Sequence, residues 1–439
     1  MVRMNAFDLS KSTLHELVRE EGIFASSRKG FDGRFHGLFG RDTCISTLLI
    51  MDAEYYSSIQ EFSPRAIAAT YQLANWQGQH DDYHRTGQEK GKIPHEIRLE
   101  SEDYQHLVSE HLDRKWFVDP DDGILKNWDS NDSTPLWIIT MLRAVRECSF
   151  TPSIEFDHRL REALLWCLKN LENCTPLADF EHHHRRKFGG LFNQSWKDSS
   201  HSYLLDDGSI APHPIQDIWV NALFYHALYQ GAEFYREKDL DFSQRLFHQA
   251  ESLRKSFRSC ERGFRYLDSQ GKTAWGEARD GYQNLLKAIC IDSALSLYGD
   301  SCQRECLFTS KEAQELLDRM MASDMFDTQG GIRVYSSHTQ ALDPLKYHRG
   351  AHTFWPFTNG LLIPIFDRYG RVEQATQLAK IILSQIESFG SCIELYLKEG
   401  EHFVRYQEPG GHRSSADQTW TAAAGYLAGS YLSSISSKY

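Results

Sequence analysis

The sequence has no Cys-x-x-Cys pair, no long basic run and no apolar stretch of about 18 residues, the length a membrane helix needs. Each absence removes a class of function. Nine cysteines are scattered from Cys44 to Cys392 without zinc or redox spacing. An odd, dispersed set reads as free thiols in a reducing compartment. Cys302 and Cys306 fall at helical spacing, but no further ligand cluster accompanies them. The first residues, "MVRMNAFDLSKSTLHELV", lack the apolar core and small-residue cleavage site of a secretory signal. The formal net charge is -12, and the short "HHHRRK" at His182 to Lys187 is the sole basic cluster. Nucleic acid is therefore disfavoured as a partner, and no membrane partner is expected. The expected location is the cytoplasm. No GxGxxG, GxxxxGK[ST] or GxSxG motif occurs, so nucleotide folds and the nucleophile elbow have no support. Consecutive histidines at 182–184 point in different directions on a helix, so no metal or other cofactor is expected. No linker or low-complexity tract divides the 439 residues, and one domain over 1–439 is expected.

What is present is helical periodicity and an excess of aromatics. Aromatic residues make up 13% of the chain, enough for a large core or for flat surfaces that meet sugars. Apolar residues recur at i, i+3 and i+4 in "RDTCISTLLIMDAEYY", "SPRAIAATYQLANWQ", "STPLWIITMLRAVREC" and "FDHRLREALLWCLKNL". The pattern continues in "IQDIWVNALFYHALYQGAEFYRE", "FSQRLFHQAESLRKSF", "YQNLLKAICIDSALSLYG" and "KEAQELLDRMMAS", and in three further segments near the C-terminus. With "STLHELVREE", whose Ser12 and Glu16 lie one residue off a capping box, this predicts about a dozen helices. Alternating strands are scarce, with short ones expected near "GGIRVYSS" and "HFVRYQ". Short turns alternate with long polar segments near 22–41, 80–102, 113–132, 176–213, 262–281, 324–349 and 389–416. Loops of that length are usually functional. The rhythm predicts an all-α ring of helical hairpins, with its long loops gathered at one rim to form a cup.

Those loops carry carboxylates beside aromatics. Arg41 and Asp42 stand at a predicted helix start, where they suit either an N-cap with a salt-bridged arginine or a clamp on a sugar hydroxyl. Asp132 stands at another loop–helix junction. His95 and Glu96 follow a proline turn, Tyr347 and His348 precede "FWP", and Asp198 lies beside Trp196 and Lys197 in "NQSWKDS". Singly, each is more often structural than catalytic.

Taken in order, "GRDT", "GKIPHEIR", "DSTPLW", "NQSWKDS", "YHRG" with "WP", "IELY" and "QTWTAAAGY" resemble the catalytic domain of glycogen-debranching amylo-α-1,6-glucosidases. They are also similar to the wider set with glucoamylases and processing α-glucosidases, over about residues 35 to 430. The resemblance implies an (α/α)6 toroid and hydrolysis of an α-glycosidic bond with inversion. It assigns the general acid to Asp198 and the general base to Glu394, with Glu408 as a rival base. It places Arg41, Asp42, His95, Glu96, Asp132, Trp196, Lys197, Tyr347, His348 and Trp420 around the sugar, with Lys197 turned from Asp198 or touching substrate. Such chemistry needs one carboxyl to protonate the leaving oxygen and another to activate water from the opposite face. Ser195 stands where the family usually has glycine, no proline precedes Glu394, and "WPFTN" replaces a "WPHDN"-like stretch. No N-terminal β-domain is expected ahead of the barrel, which makes a small α-glycoside, such as glucosylglycerate or mannosylglycerate, the alternative substrate. A sugar epimerase using paired histidines and a glycan-binding scaffold without activity are the competing readings.

Overall fold

A computed structural model of the chain describes residues 4–28, 34–110, 116–173, 177–179, 191–299, 306–339, 347–350, 352–407 and 413–436. Among these, the helices in chain order are Ala6–Leu17 (α1), Gly40–Ser57 (α2), Ser63–Gln72 (α3), Tyr83–Thr86 (α4), Ser101–Glu110 (α5), Ser133–Glu147 (α6) and Ile154–Asn173 (α7). Then come Ile218–Tyr235 (α8), Leu240–Phe257 (α9), Asp292–Leu295 (α10), Ser310–Met320 (α11), Pro356–Arg368 (α12), Val372–Phe389 (α13) and Thr419–Ser436 (α14).

Six of them close a ring. α2 packs on α6, α6 on α8, α8 on α10, α10 on α12, α12 on α14, and α14 returns to α2. α3, α7, α9, α11 and α13, with α1, lie outside it. This is the (α/α)6 toroid that the helical rhythm predicts. The inner and outer helices differ as their positions require. A helix touched on every side must be apolar all round, whereas one facing water needs a single apolar stripe. α14 accordingly buries every residue from Thr419 to Tyr431, and α8 buries Ile218 to Leu228. α9 buries a stripe of Phe242, Leu246, Ala250, Leu253 and Phe257.

Small residues set how closely the ring closes. A Cβ on Gly360 of α12 would sit 2.8 Å from the Ala424 Cβ of α14. One on Gly425 would meet Ser10 Oγ at 2.2 Å and Ile386 Cδ1 at 2.6 Å. The chain's two ends are also joined. Ser26 bridges Gln418, Thr419 N–H donates to the Ala25 carbonyl at 2.9 Å, and Ser27 N–H to that of Asp417 at 3.3 Å.

Three expectations change. α1 begins at Ala6, because the Asn5 side chain accepts the Asp8 N–H at 2.9 Å, and Ser12 lies inside the helix. The helix expected across Tyr282–Gly299 shrinks to α10. Asp280 Oδ1 takes the N–H groups of Tyr282 and Asn284, at 2.9 and 2.8 Å, and turns the chain. Leu285–Leu286 then pairs with Ala278–Arg279 as a hairpin. Local side-chain bonds of this kind compete with helix formation. α5 arises between the long segments near 80–102 and 113–132, where no helix is predicted, burying Tyr104 and Leu107 against Leu125.

Short strands stitch the long loops into a rim. Leu38–Phe39 pairs with Glu96–Ile97, and Glu96–Arg98 with Leu125–Asn127. Gln216–Asp217 pairs with Ala278–Arg279, and Thr353–Phe354 with Tyr396–Leu397. The strands expected near "GGIRVYSS" and "HFVRYQ" are present as Gly331–Ile332 and His402–Arg405.

Gly425→Ala is expected to cost about 1–3 kcal/mol, the usual penalty for overpacking, and to lower the denaturant midpoint in equilibrium unfolding. An unchanged midpoint would show that α1 and α14 do not need their close approach.

Candidate active site

Inner and outer helices alternate along the chain, so the inner helices run parallel and their N-termini share one rim. Side-chain contacts join these ends in sequence. Arg41 in the first turn of α2 reaches Asp132 at the start of α6, and Phe357 of α12 stacks on Trp420 of α14 at 4.2 Å. Gly40 makes this possible locally. A Cβ there would lie 2.2 Å from the Pro94 carbonyl oxygen, so only glycine lets α2 start against the turn that precedes the Glu96–Arg98 strand.

Arg41 is almost wholly buried. Its Nε donates to Asp132 Oδ2 at 2.7 Å, Nη2 to the Ser195 carbonyl at 2.9 Å and Nη1 to Asp198 Oδ2 at 3.5 Å. Three of its five N–H donors are thus spent inside the protein. The clamp expected of Arg41 and Asp42 is therefore divided, with Arg41 holding the loop that carries Asp198. Asp132 occupies the N-cap position of α6 without capping it. Its other oxygen accepts Ser130 Oγ at 2.6 Å, and Ser130 Oγ in turn accepts the Ser133 N–H at 3.1 Å.

Asp42 is buried, and makes no hydrogen bond or ion pair among the described residues. Burial pushes its carboxyl up to about 8; Arg41 opposes this, while the charges of Glu394, Asp198 and Asp132 add to it. Glu394 is buried as well. Its Oε1 accepts the Tyr347 hydroxyl and its Oε2 the Ser415 N–H at 2.8 Å. Burial raises its pKa to about 7 against these two bonds, and the Asp198 charge contributes in the same direction. Asp198 differs from both, with 27% of its side chain exposed. Asp42, Asp132, Asp198 and Glu394 therefore form one electrostatic cluster with Arg41 and Tyr347.

Next to it lies an aromatic nest. His348 stacks on Trp355 at 5.3 Å, Trp196 meets Trp355 edge-on at 5.5 Å, and Trp420 meets Trp355 at 5.8 Å. His348 Nδ1 lies 2.9 Å from Ser199 Oγ, next to Asp198 in sequence. Trp196, expected to line the cup, is only 1% exposed, and its indole N–H donates to Asp292 Oδ1 at 2.7 Å. It forms the floor of the nest. Trp420 is buried too, packed on Phe357.

Lys197, expected among the substrate contacts, has no exposed side chain. Its Nζ lies 2.5 Å from Asp292 Oδ2 and 3.2 Å from Glu277 Oε2, away from Asp198. Ser195, the residue in the family's glycine position, joins the same region through Tyr203, whose hydroxyl lies 2.7 Å from Ser195 Oγ and 2.7 Å from Asp217 Oδ2. Glu96 is held by Arg98 Nε within the rim sheet, so its carboxylate is committed there. His95 packs edge-on against Phe39; burial, with Arg41, Arg98 and Lys92 nearby, pushes its pKa well below the usual range and keeps it neutral. Glu408, Cys302 and the histidines at 182–184 lie outside the described residues. No described group of three or more His, Cys, Asp or Glu has a metal-holding arrangement, and no described helix is long and apolar enough to cross a membrane. Sequence reasoning missed Ser415, which contributes only its backbone, and Glu277 and Asp292, whose partners are far away in the chain.

The folded state holds protons on Asp42 and Glu394 that an unfolded chain releases near 3.8 and 4.5. These groups therefore favour folding at low pH, and the benefit is lost as pH rises to about 7 for Glu394 and about 8 for Asp42. Melting temperature is expected to fall between about pH 5 and pH 8, less steeply in Asp42→Asn than in the parent protein. Equal slopes in thermal scans would contradict a buried, protonated Asp42.

No protein-family model matches the sequence, and no curated protein does. Solved structures do match in shape. A GH63 mannosylglycerate hydrolase from Thermus thermophilus in complex with glucose superposes with a TM-score of 0.60 at 13% identity, covering 96% of this chain and 99% of that one. The same enzyme with Tris and D-glycerate gives 0.57 at 14% identity, with the same coverage. A glycosidase variant in complex with glucose gives 0.58 at 12% identity, over 98% of this chain and 97% of that one. At such identities the likeness establishes the toroidal fold.

Proposed function

We propose that this protein is a glycoside hydrolase that cleaves an α-glycosidic bond with inversion, Asp198 donating the proton and Glu394 activating water. One observation carries the reading. Two carboxyls from distant parts of the chain, one partly exposed and one buried, share a single charged cluster at the mouth of the ring. The neighbours in shape, glycosidases captured with glucose, Tris or D-glycerate, support the same class.

Each residue then has a task. Asp198 protonates the leaving oxygen from the open side of the cup. The Tyr347 hydroxyl and the Ser415 N–H fix the Glu394 carboxylate, so that it meets water without reorganising. Asp42, whose carboxyl has no hydrogen-bond partner among the described residues, faces a sugar hydroxyl. Arg41 holds Asp198 and Asp132 in register. The aglycone is either an α-1,6-linked glucosyl chain, as in amylo-α-1,6-glucosidase chemistry, or a small acid, as in mannosylglycerate and glucosylglycerate.

Asp198→Asn and Glu394→Gln are each expected to lower kcat by about 10²–10⁴-fold on the best α-glycoside of a panel of α-glucosides, α-mannosides and isomaltose-type oligosaccharides. NMR should detect the β-anomer first, and initial release of the α-anomer would overturn inversion.

A second assignment exchanges the two roles, because Glu394 is pushed up to about 7 while Asp198 lies 3.5 Å from the Arg41 guanidinium. The pH profile of kcat/KM separates them. With Glu394 as base, activity falls as pH drops below about 7; with Glu394 as acid, it falls as pH rises above that value. α-Glycosyl fluorides, whose leaving group needs no proton, give a second criterion. The variant lacking the acid should hydrolyse them and the variant lacking the base should not.

A further inference from the structure

Behind the cup lies a buried set of charges that touches neither proposed catalytic carboxyl. Lys197 and Arg349 supply two cations, and Glu277 and Asp292 two anions, all essentially without solvent exposure. Glu277 is the common member. Its Oε2 lies 3.2 Å from Lys197 Nζ and 2.6 Å from the Tyr335 hydroxyl, and its Oε1 lies 3.3 Å from Arg349 Nη1. The Ser202 carbonyl accepts from Arg349 Nη1 at 2.9 Å and lies 3.0 Å from the Tyr335 hydroxyl.

These partners belong to the two segments that present the reacting groups. Lys197 directly precedes Asp198, and Ser202 closes the same loop. Arg349 follows Tyr347 by two residues, and Tyr347 holds Glu394. A single carboxylate therefore fastens the loop of one carboxyl to the segment that seats the other. The backbone of Glu277 is itself fixed, its N–H donating to the Leu286 carbonyl at 2.9 Å and its carbonyl accepting from Ile218 at the start of α8 at 3.0 Å.

We infer that Glu277 is a positioning residue that sets the distance between Asp198 and Glu394 by tying Lys197 to Arg349. This rests on the hydrolase reading above. The network gives a physical reason for Lys197, whose ammonium beside a proton donor would otherwise oppose that role. Turned inward, it anchors the loop through Glu277 and Asp292. Since inversion requires room for one water between carboxyl and sugar, a small drift in either segment changes rate more than binding.

The test compares Glu277→Gln, Tyr335→Phe and the parent protein on the best substrate of the panel. Glu277→Gln keeps the volume but removes the charge, and should lower kcat about 10- to 100-fold with KM changed by less than about 3-fold. Tyr335→Phe removes one hydroxyl bridge and guards against a Glu277→Gln chain that does not fold. It should lower kcat about 3- to 10-fold with KM held. Glu277→Asp, a charged but shorter carboxylate, should recover part of the loss. A parent-like kcat in folded Glu277→Gln, or in Tyr335→Phe if the former does not fold, would overturn the inference, as would a KM increase that accounts for the whole loss. Retention of hydrolysis by Asp198→Asn and Glu394→Gln would instead remove the hydrolase reading itself, so the two failures are distinct.

Discussion

Closing six parallel helices into a ring brings six N-termini to one mouth. Each end leaves backbone N–H groups without helical partners and carries partial positive charge. Carboxylates answer that field here. Asp42 lies in the first turn of α2, Asp132 at the N-cap of α6, Asp217 at the N-cap of α8 and Asp292 at the start of α10. Asp217 caps its helix directly, its Oδ1 accepting the Val220 N–H at 2.8 Å. The others are released from capping to meet Arg41, Lys197 or the cup. Part of the acidity at this mouth is thus a consequence of the architecture, while Asp198 and Glu394 reach it from loops.

Burying so many charges together is costly unless each has a partner. The protein separates them into two layers. Among the described residues the outer layer, with Asp42, Asp198 and Glu394 beside Arg41, has more carboxyls than cations, and burial pushes Asp42 and Glu394 toward holding protons. The inner layer, with Lys197, Arg349, Glu277 and Asp292, has two cations for two anions, and the Tyr335 hydroxyl donates to Glu277. Trp196 lies between the layers, its indole donating inward to Asp292 while its ring meets His348.

The parts of this arrangement visible in the sequence are those with a local signature. Apolar periodicity marked the ring helices other than α10, since a helix buried all round or along a stripe carries that pattern in its own residues. It failed at Tyr282–Gly299, where Asp280 turns the chain through hydrogen bonds that no periodicity records. Ordered motifs brought Arg41, Asp42, Asp198 and Glu394 to attention together. They did not show that Arg41 faces inward, that Lys197 is buried or that Glu96 is committed to Arg98. Those facts depend on which side of a loop each side chain leaves, and on partners such as Glu277, 80 positions from Lys197.

The pairing of Ser26 with Gln418 and of Ala25 with Thr419 has a consequence for how the molecule comes into being. The seam between α14 and α2 joins segments at opposite ends of the chain, so no hairpin formed earlier in synthesis completes the ring. Until α14 arrives, α2 and α12 present apolar faces that it later covers. Loop closure over nearly the whole chain raises the entropic barrier only slowly with length, but it delays the reward of the contacts. The toroid is therefore a structure finished by its last helix, and the interval before that is when its sticky interior is open to other chains.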